Sequence, residues 1–248
     1  MDLVWEDPAA NLKRFKEKVE QLSSDVDLIV LPEMFPTGFS MNAAALAEPS
    51  EGKSLQWMRE IALLKDTAVT GSIITEENGK YYNRLYFVFP DGSYKTYDKR
   101  HTFTLAGEHE VYESGRERLS LTYKGWTICP LICYDLRFPV WARNTEDYDL
   151  LLYVANWPAV RTVAWDTLLK ARAIENLSYC IGVNRVGTDG NAHPYLGHSA
   201  VYDALGALVS SSDFEKEFQQ EVVLQKSHLK ETREKLRFLQ DRDTFQIL

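Results

Sequence analysis

Three positions far apart in the sequence place a reactive side chain where an apolar run gives way to a polar loop. They are Glu33 in Leu31-Pro32-Glu33-Met34, Lys99 in Tyr97-Asp98-Lys99-Arg100, and Cys133 in Leu131-Ile132-Cys133-Tyr134-Asp135. A thiol can act as a nucleophile, a carboxylate can carry a proton, and an ammonium can offset developing negative charge. Each also has an ordinary role. A lone cysteine after apolar residues is most often a small buried hydrophobe, and a lone Glu or Lys at a strand end is most often solvated. Other chemistries find weaker support. His101, His109, His193, His198 and His228 offer an imidazole for a Cys–His hydrolase, but none lies in a recognisable Cys–His context. Asp189, His193 and His198 could approach a metal, yet their loop lacks a Cys-x-x-Cys or His-Glu-x-x-His pattern. Gly182 and Gly187 do not form a dinucleotide fingerprint.

The elements that would position these residues follow from periodicity. Asp7-Pro8 opens a helix whose Leu12, Phe15, Val19 and Leu22 share one face. Asp27 to Leu31 reads as a strand buried on both faces, delivering Glu33 to the loop at its C-terminal end. Leu55, Met58, Ile61 and Ala62 predict a second helix with Ser54 near its cap. Val69 to Glu77 and Lys80 to Pro90, joined by Asn78-Gly79, predict a hairpin. Asp91-Gly92 turns the chain into Ser93 to Lys99, and Leu119 to Tyr123 pairs with Trp126 to Cys133 through Lys124-Gly125. Leu150 to Asn156, Cys180 to Val186 and His198 to Asp203 are further strands. Thr162 to Leu177 reads as a helix burying Ala164, Leu168, Ala171 and Ile174, while Gly187 to Gly197 is loop-like. The charged stretch from Ser227, carrying Leu229, Leu236 and Leu239, predicts a surface helix or arm. The expectation is one α/β domain with mixed, partly antiparallel sheet.

Composition narrows the function classes. The chain has 248 residues, enough to bury roughly 70–75% of its unfolded surface without a metal or disulfide staple. A net charge of −8 argues against a general nucleic-acid binder, which needs phosphate-neutralising Lys and Arg. The cysteine count of 3 is too low for a disulfide scaffold. Cys129 and Cys133 would lie roughly 13 Å apart along a strand, too far to bridge, so a reducing cytoplasm is the simplest setting. Met1 to Asp7 lacks the basic and apolar regions of a signal peptide, and no apolar run reaches membrane-spanning length.

Leu31-Pro32-Glu33-Met34, Tyr97-Asp98-Lys99-Arg100-His101 and Ile132-Cys133-Tyr134-Asp135-Leu136-Arg137-Phe138-Pro139 resemble, in order, the three signatures of the nitrilase superfamily of carbon–nitrogen hydrolases. The resemblance covers nearly the whole chain. The segments 105–110, 155–158, 171–176 and 182–187 resemble the bacterial ω-amidase branch, which hydrolyses the distal amide of 2-oxoglutaramate and related ω-amides. The resemblance implies a four-layer αββα sandwich with mixed sheets that forms a homodimer; with neither a nucleotide fingerprint nor a metal-binding pattern in the sequence, no cofactor or metal is expected. It implies Cys133 as nucleophile, Glu33 as proton shuttle, and Lys99 with the backbone N–H of Tyr134 as oxyanion partners. Glu108, placed after Lys99 and before Ser114-Gly115, matches the additional glutamate; Glu110 and Glu113 stand close by. A Glu at its ordinary pKa near 4.3 is a poor shuttle at neutral pH, so burial is expected to raise Glu33.

An ω-amidase must also hold a carboxylate away from the scissile amide. Arg137 and Arg161 follow two strand ends and are candidates, with Phe39, Phe103 and Trp157 as pocket walls. Rival activities are those of a nitrilase, an N-carbamoyl hydrolase, an acyl-transferring amidase, or a non-catalytic binding protein. One departure is expected to matter. Such chains carry an apolar strand ahead of the segment matching Asp2-Leu3-Val4-Trp5, for which this sequence has almost no residues, so its would-be neighbours should keep unpaired backbone groups. The domain is taken as 1–248, with about 214–248 as a C-terminal arm.

Overall fold

A computed structural model describes residues 1–211 and 214–247; Leu248, the last residue of the expected arm, lies outside them. The strands are β1 (Leu28–Val30), β2 (Glu48–Pro49), β3 (Ala68–Glu77), β4 (Lys80–Val88), β5 (Tyr94–Asp98), β6 (Leu121–Tyr123), β7 (Trp126–Ile132), β8 (Leu150–Ala155), β9 (Tyr179–Asn184), β10 (Val186–Thr188), β11 (Pro194–Leu196) and β12 (Ala200–Tyr202). The helices are α1 (Pro8–Glu20), α2 (Ala43–Leu46), α3 (Lys53–Lys65), α4 (Glu108–Val111), α5 (Pro139–Ala142), α6 (Thr162–Asn176) and α7 (Lys226–Leu236).

Ten of the strands form two mixed sheets, and β10 and β11 pair separately. One runs β1-β3-β4-β5 with β2 also on β3; the other runs β12-β9-β8-β7-β6. β1 is parallel to β3, and β7, β8 and β9 are mutually parallel; the hairpin partners are antiparallel. Phe15 and Val19 of α1 and Leu55, Met58 and Ile61 of α3 pack on Val69, Ile73, Tyr86 and Val88, covering the first sheet. Its opposite face gives Leu85, Phe87 and Tyr97 to a second core shared with Ile128, Leu131 and the strands beyond, where Trp165, Leu169 and Ala173 of α6 close the outer side. The layer order is therefore αββα, as the resemblance implies.

Local chemistry explains most boundaries. Asp7 caps α1 by accepting from the Ala10 N–H at 3.0 Å. Asn78 and Gly79 both have positive φ, the backbone a two-residue hairpin turn needs. The core of α3 also falls as expected, but its cap is Gly52; Ser54 instead receives the Glu48 carboxylate, which accepts from its N–H and hydroxyl.

Three expectations are corrected. In α6 the buried residues are Trp165, Leu169, Arg172, Ala173 and Asn176, while Ile174 is exposed. The apolar pattern allows two stripes one residue apart. Trp165 and the hydrogen-bonding needs of Arg172 and Asn176 select the second, with Arg172 donating to the Leu136 carbonyl at 2.7 Å. The 187–197 loop contains the β10–β11 hairpin. β1 buries only Ile29 fully, because it is an edge strand. Beside it lies a cavity of about 590 Å³ lined by Leu28, Val30, Ile181, Val183 and Val201. The N-terminal residues contribute one bridge, Asp2 to Val186, on the β10 side.

α7 docks Leu229 into the second core, and Arg233 donates to Asp149 at 3.1 Å. Among the described residues, no helix is long and apolar enough to cross a membrane. Cys129, Cys133 and Cys180 are all free and buried.

Candidate active site

The three separated reactive residues meet at one end of the sandwich. Glu33 follows β1 in a turn pinned by the Ser72 hydroxyl, which accepts from the Met34 N–H at 2.8 Å. Lys99 follows β5, and Cys133 follows β7. Met34 and Cys133 have φ of 42° and 41°, left-handed conformations uncommon for such side chains. Strain of this kind persists where the surroundings over-determine it, and here it turns each side chain at a strand end.

Glu33, Lys99 and Glu108 are essentially inaccessible to solvent. Lys99 Nζ donates to Glu33 Oε1 at 2.9 Å and to Glu108 Oε1 and Oε2 at 2.9 and 2.8 Å. Its ammonium also lies 5.2 Å from the centroid of the Phe39 ring. Glu33 Oε2 accepts from the Asn156 N–H at 2.8 Å, and Glu108 Oε2 accepts from the Phe103 N–H at 2.5 Å. Glu108 opens α4 immediately after Gly107, whose φ of 71° makes that turn. Glu110 and Glu113 stay on the surface.

Burial works to discharge the Lys99 ammonium, but the carboxylates of Glu108 and Glu33 outweigh it and hold its pKa above the ordinary lysine value. Burial raises Glu108, opposed by Lys99 and assisted by Glu33. Burial likewise pushes the Cys133 thiol well above its ordinary value. Glu33 adds to this through its charge, while Lys99 pulls the other way; the thiol itself donates to the Asn156 carbonyl at 3.9 Å. Cys133 at rest is thus a thiol beside a carboxylate, an arrangement in which attack by the sulfur would require proton transfer.

Cys133 opens into a cavity of about 550 Å³. Phe39, Phe103, Tyr134, Arg137, Trp157 and Arg161 all line it, so every substrate contact expected from sequence is brought together there. The Arg137 guanidinium lies 5.1 Å from the Trp157 ring centroid, and that of Arg161 lies 5.0 Å from the Phe103 ring centroid. Among the described residues neither guanidinium is paired with a carboxylate. Tyr134 occupies the first turn of a 3₁₀ segment beginning at Cys133, where N–H groups have no partner within the turn.

Two site residues escape the sequence reading. Asn83 Nδ2 donates to Glu33 Oε1 at 2.8 Å and to Glu108 Oε1 at 3.2 Å, holding both carboxylates on the same side as Lys99. Asn156 clasps Glu33 twice, through its N–H and through Nδ2 to the Glu33 carbonyl at 2.5 Å. An asparagine interrupting a strand between Tyr82 and Arg84 was the available signal for the first. The histidines do not form a metal cluster: His198 faces Asp166 at 3.0 Å, and only His193 approaches Asp189, at 3.4 Å. Among the described residues no group of His, Cys, Asp and Glu could hold a metal ion.

This fold and this buried carboxylate–ammonium–thiol arrangement define a carbon–nitrogen hydrolase, and the chain belongs to that family, whose model matches residues 1–234. It is 47% identical over 246 residues to the omega-amidase YafV of Yersinia enterocolitica, spanning 99% of this chain and 95% of the relative. It is 33% identical over 221 residues to a 2-oxoglutaramate amidase of Bacillus subtilis, spanning 87% and 85% of the two chains. A crystal structure of the carbon–nitrogen hydrolase superfamily protein XC1258 from Xanthomonas campestris, carrying an arsenic adduct in its active site, superposes with a TM-score of 0.93. It is 43% identical, with 100% of this chain and 96% of that one covered.

Proposed function

We propose that this chain is an ω-amidase: it hydrolyses the distal amide of 2-oxoglutaramate or a similar small ω-amide dicarboxylate and releases ammonia. One observation carries the reading: a buried Glu33–Lys99–Glu108 cluster beside a thiol that opens onto a pocket with two guanidiniums that have no carboxylate partner among the described residues. The names of the relatives support the same substrate class.

In this mechanism Cys133 Sγ attacks the amide carbon as its proton passes to Glu33. The tetrahedral oxyanion is met by the Tyr134 N–H and the Lys99 ammonium. Collapse expels ammonia, which takes the proton back from Glu33 and leaves a thioester on Cys133. Glu33 then accepts a proton from water as it attacks the thioester, and the carboxylic acid product departs with the thiol restored. Glu108 holds the lysine and orients the substrate amide. Arg137 and Arg161 receive the distant carboxylate, walled by Phe39, Phe103 and Trp157.

The proposal extends to a cytoplasmic homodimer and to 1–248 as one domain with a C-terminal arm from about 214. The test is a panel of purified wild type and Cys133→Ala on 2-oxoglutaramate, a nitrile and an N-carbamoyl amino acid, with ammonia as readout. Wild type should favour the ω-amide and Cys133→Ala should be inert. Turnover by Cys133→Ala would rule out the thioester route, and preference for the nitrile or carbamoyl compound would reassign the substrate.

A further inference from the structure

Asp135 lies two residues beyond Cys133 and is fully buried. Its Oδ2 accepts from the Ile132 N–H at 3.0 Å and from the Tyr97 hydroxyl at 2.7 Å. Its Oδ1 accepts from the His101 N–H at 3.0 Å and lies 2.7 Å from His101 Nδ1. A carboxylate oxygen only accepts, so that ring nitrogen carries the hydrogen. Ile132 immediately precedes Cys133, while Tyr97 and His101 stand two residues on either side of Lys99. β5 and β7 belong to different sheets. Among the described residues, every hydrogen bond joining segment 97–101 to segment 132–138 ends on Asp135.

The donors are themselves fixed. The Tyr97 hydroxyl accepts from Trp141 Nε1 at 3.0 Å and from the Arg100 N–H at 3.2 Å. The His101 ring stacks on Phe138 at 3.6 Å between centroids and 4° between planes. Tyr97 is held well above its ordinary pKa by burial and by Asp135, so it remains a donor.

We propose that Asp135 is a positioning residue that fixes the separation between the Lys99 ammonium and the Cys133 thiol. The inference rests on the reading of Cys133 as nucleophile. Four donors converge on this group, and an asparagine there would turn a donating NH₂ toward at least some of them. The two segments would then be joined by fewer bonds, and a misplacement of about 1 Å between reacting groups can cost about 10²-fold.

The experiment compares Asp135→Asn, Tyr97→Phe, His101→Ala, and the Tyr97→Phe/His101→Ala double variant by steady-state kinetics on 2-oxoglutaramate and by thermal unfolding. Asp135→Asn should lose about 10–100-fold in kcat with KM changed by less than about 3-fold. The single variants should lose less, and the double variant should approach Asp135→Asn. Asn144→Ala is the control for stability alone. Asn144 is buried among Tyr148 and Asn176, away from the pocket, so its loss should lower Tm and leave kcat intact. If Asp135→Asn does not fold, the Tyr97 and His101 variants carry the test. A kcat within about 2-fold of wild type in every folded variant of Asp135, Tyr97 and His101 would overturn the inference. So would a drop that Asn144→Ala shares at matched Tm. Cys133→Ala run in parallel separates the two failures, since activity there refutes the nucleophile itself.

Discussion

Replacing Lys99 by methionine keeps most of the side-chain volume and deletes a cation enclosed by two carboxylates. Three charge-assisted contacts of 2.8–2.9 Å disappear, and Glu33 and Glu108 remain buried, joined among the described residues only through Asn83. Removing one partner of a buried ionic cluster costs about 3–5 kcal/mol, because the remaining charge is left uncompensated. The folded variant should relieve this by binding a proton at the carboxylate pair. A carboxylate whose folded pKa is raised binds more protons folded than unfolded, so stability rises as pH falls toward the unfolded value near 4.3. The slope is about 1.4 kcal/mol per pH unit, so moving from about pH 7.5 to about 5.5 should recover up to about 2.7 kcal/mol. Urea unfolding of Lys99→Met and wild type at both pH values measures this, with wild type subtracted at each. An equal loss at the two pH values, or a loss below about 1 kcal/mol at pH 7.5, would refute the picture of a lysine holding two ionised carboxylates together.

Glu33→Gln should abolish turnover by at least about 10²-fold while lowering the pH midpoint of Cys133 alkylation, because the anion that holds the thiol protonated is gone; an unmoved midpoint, read with iodoacetamide, would argue that Glu33 does not govern the thiol. Arg137→Met and Arg161→Met should each raise KM for an ω-amide acid by about 10-fold or more and change the rate on an uncharged amide by less than about 3-fold; equal losses on both substrates would remove the guanidiniums from carboxylate recognition. Gly115→Ala should lose both stability and activity, since a Cβ there would fall 2.0 Å from the Asp98 carbonyl oxygen, next to Lys99; a variant with wild-type Tm would show that the 112–116 segment yields easily.

How much of this was legible in the sequence depended on how locally each feature is determined. The β3–β4 hairpin was readable because Asn78-Gly79 supplies a turn that two residues can specify alone. Glu33, Lys99 and Cys133 were readable through flanking residues that shape the strand ends, although no spacing places them within hydrogen-bonding reach. Asn83 was not readable. Its importance comes from facing two carboxylates 50 and 25 residues away, a tertiary fact. The α6 stripe was misread because two apolar rows run side by side, and the choice lies in what Trp165, Arg172 and Asn176 meet outside the helix. The upward shift at Glu108, caused mainly by burial, has no counterpart in the sequence reading, because it depends on how deeply the folded chain encloses that carboxyl.

The open edge of β1 bears on how the protein behaves when concentrated. An unpaired strand beside apolar surface can template pairing between molecules, and long, flat edges are the hazardous ones. Here the edge strand is only 3 residues long. Asp27, which is ion-paired to Lys124, closes one end, and Pro32, which lacks an N–H, closes the other. A docking strand would find few backbone hydrogen bonds before meeting a charge or a ring. The edge of β1 is therefore bounded by residues that limit its use as a seed for self-assembly, and removing both guards would open that edge to pairing between molecules.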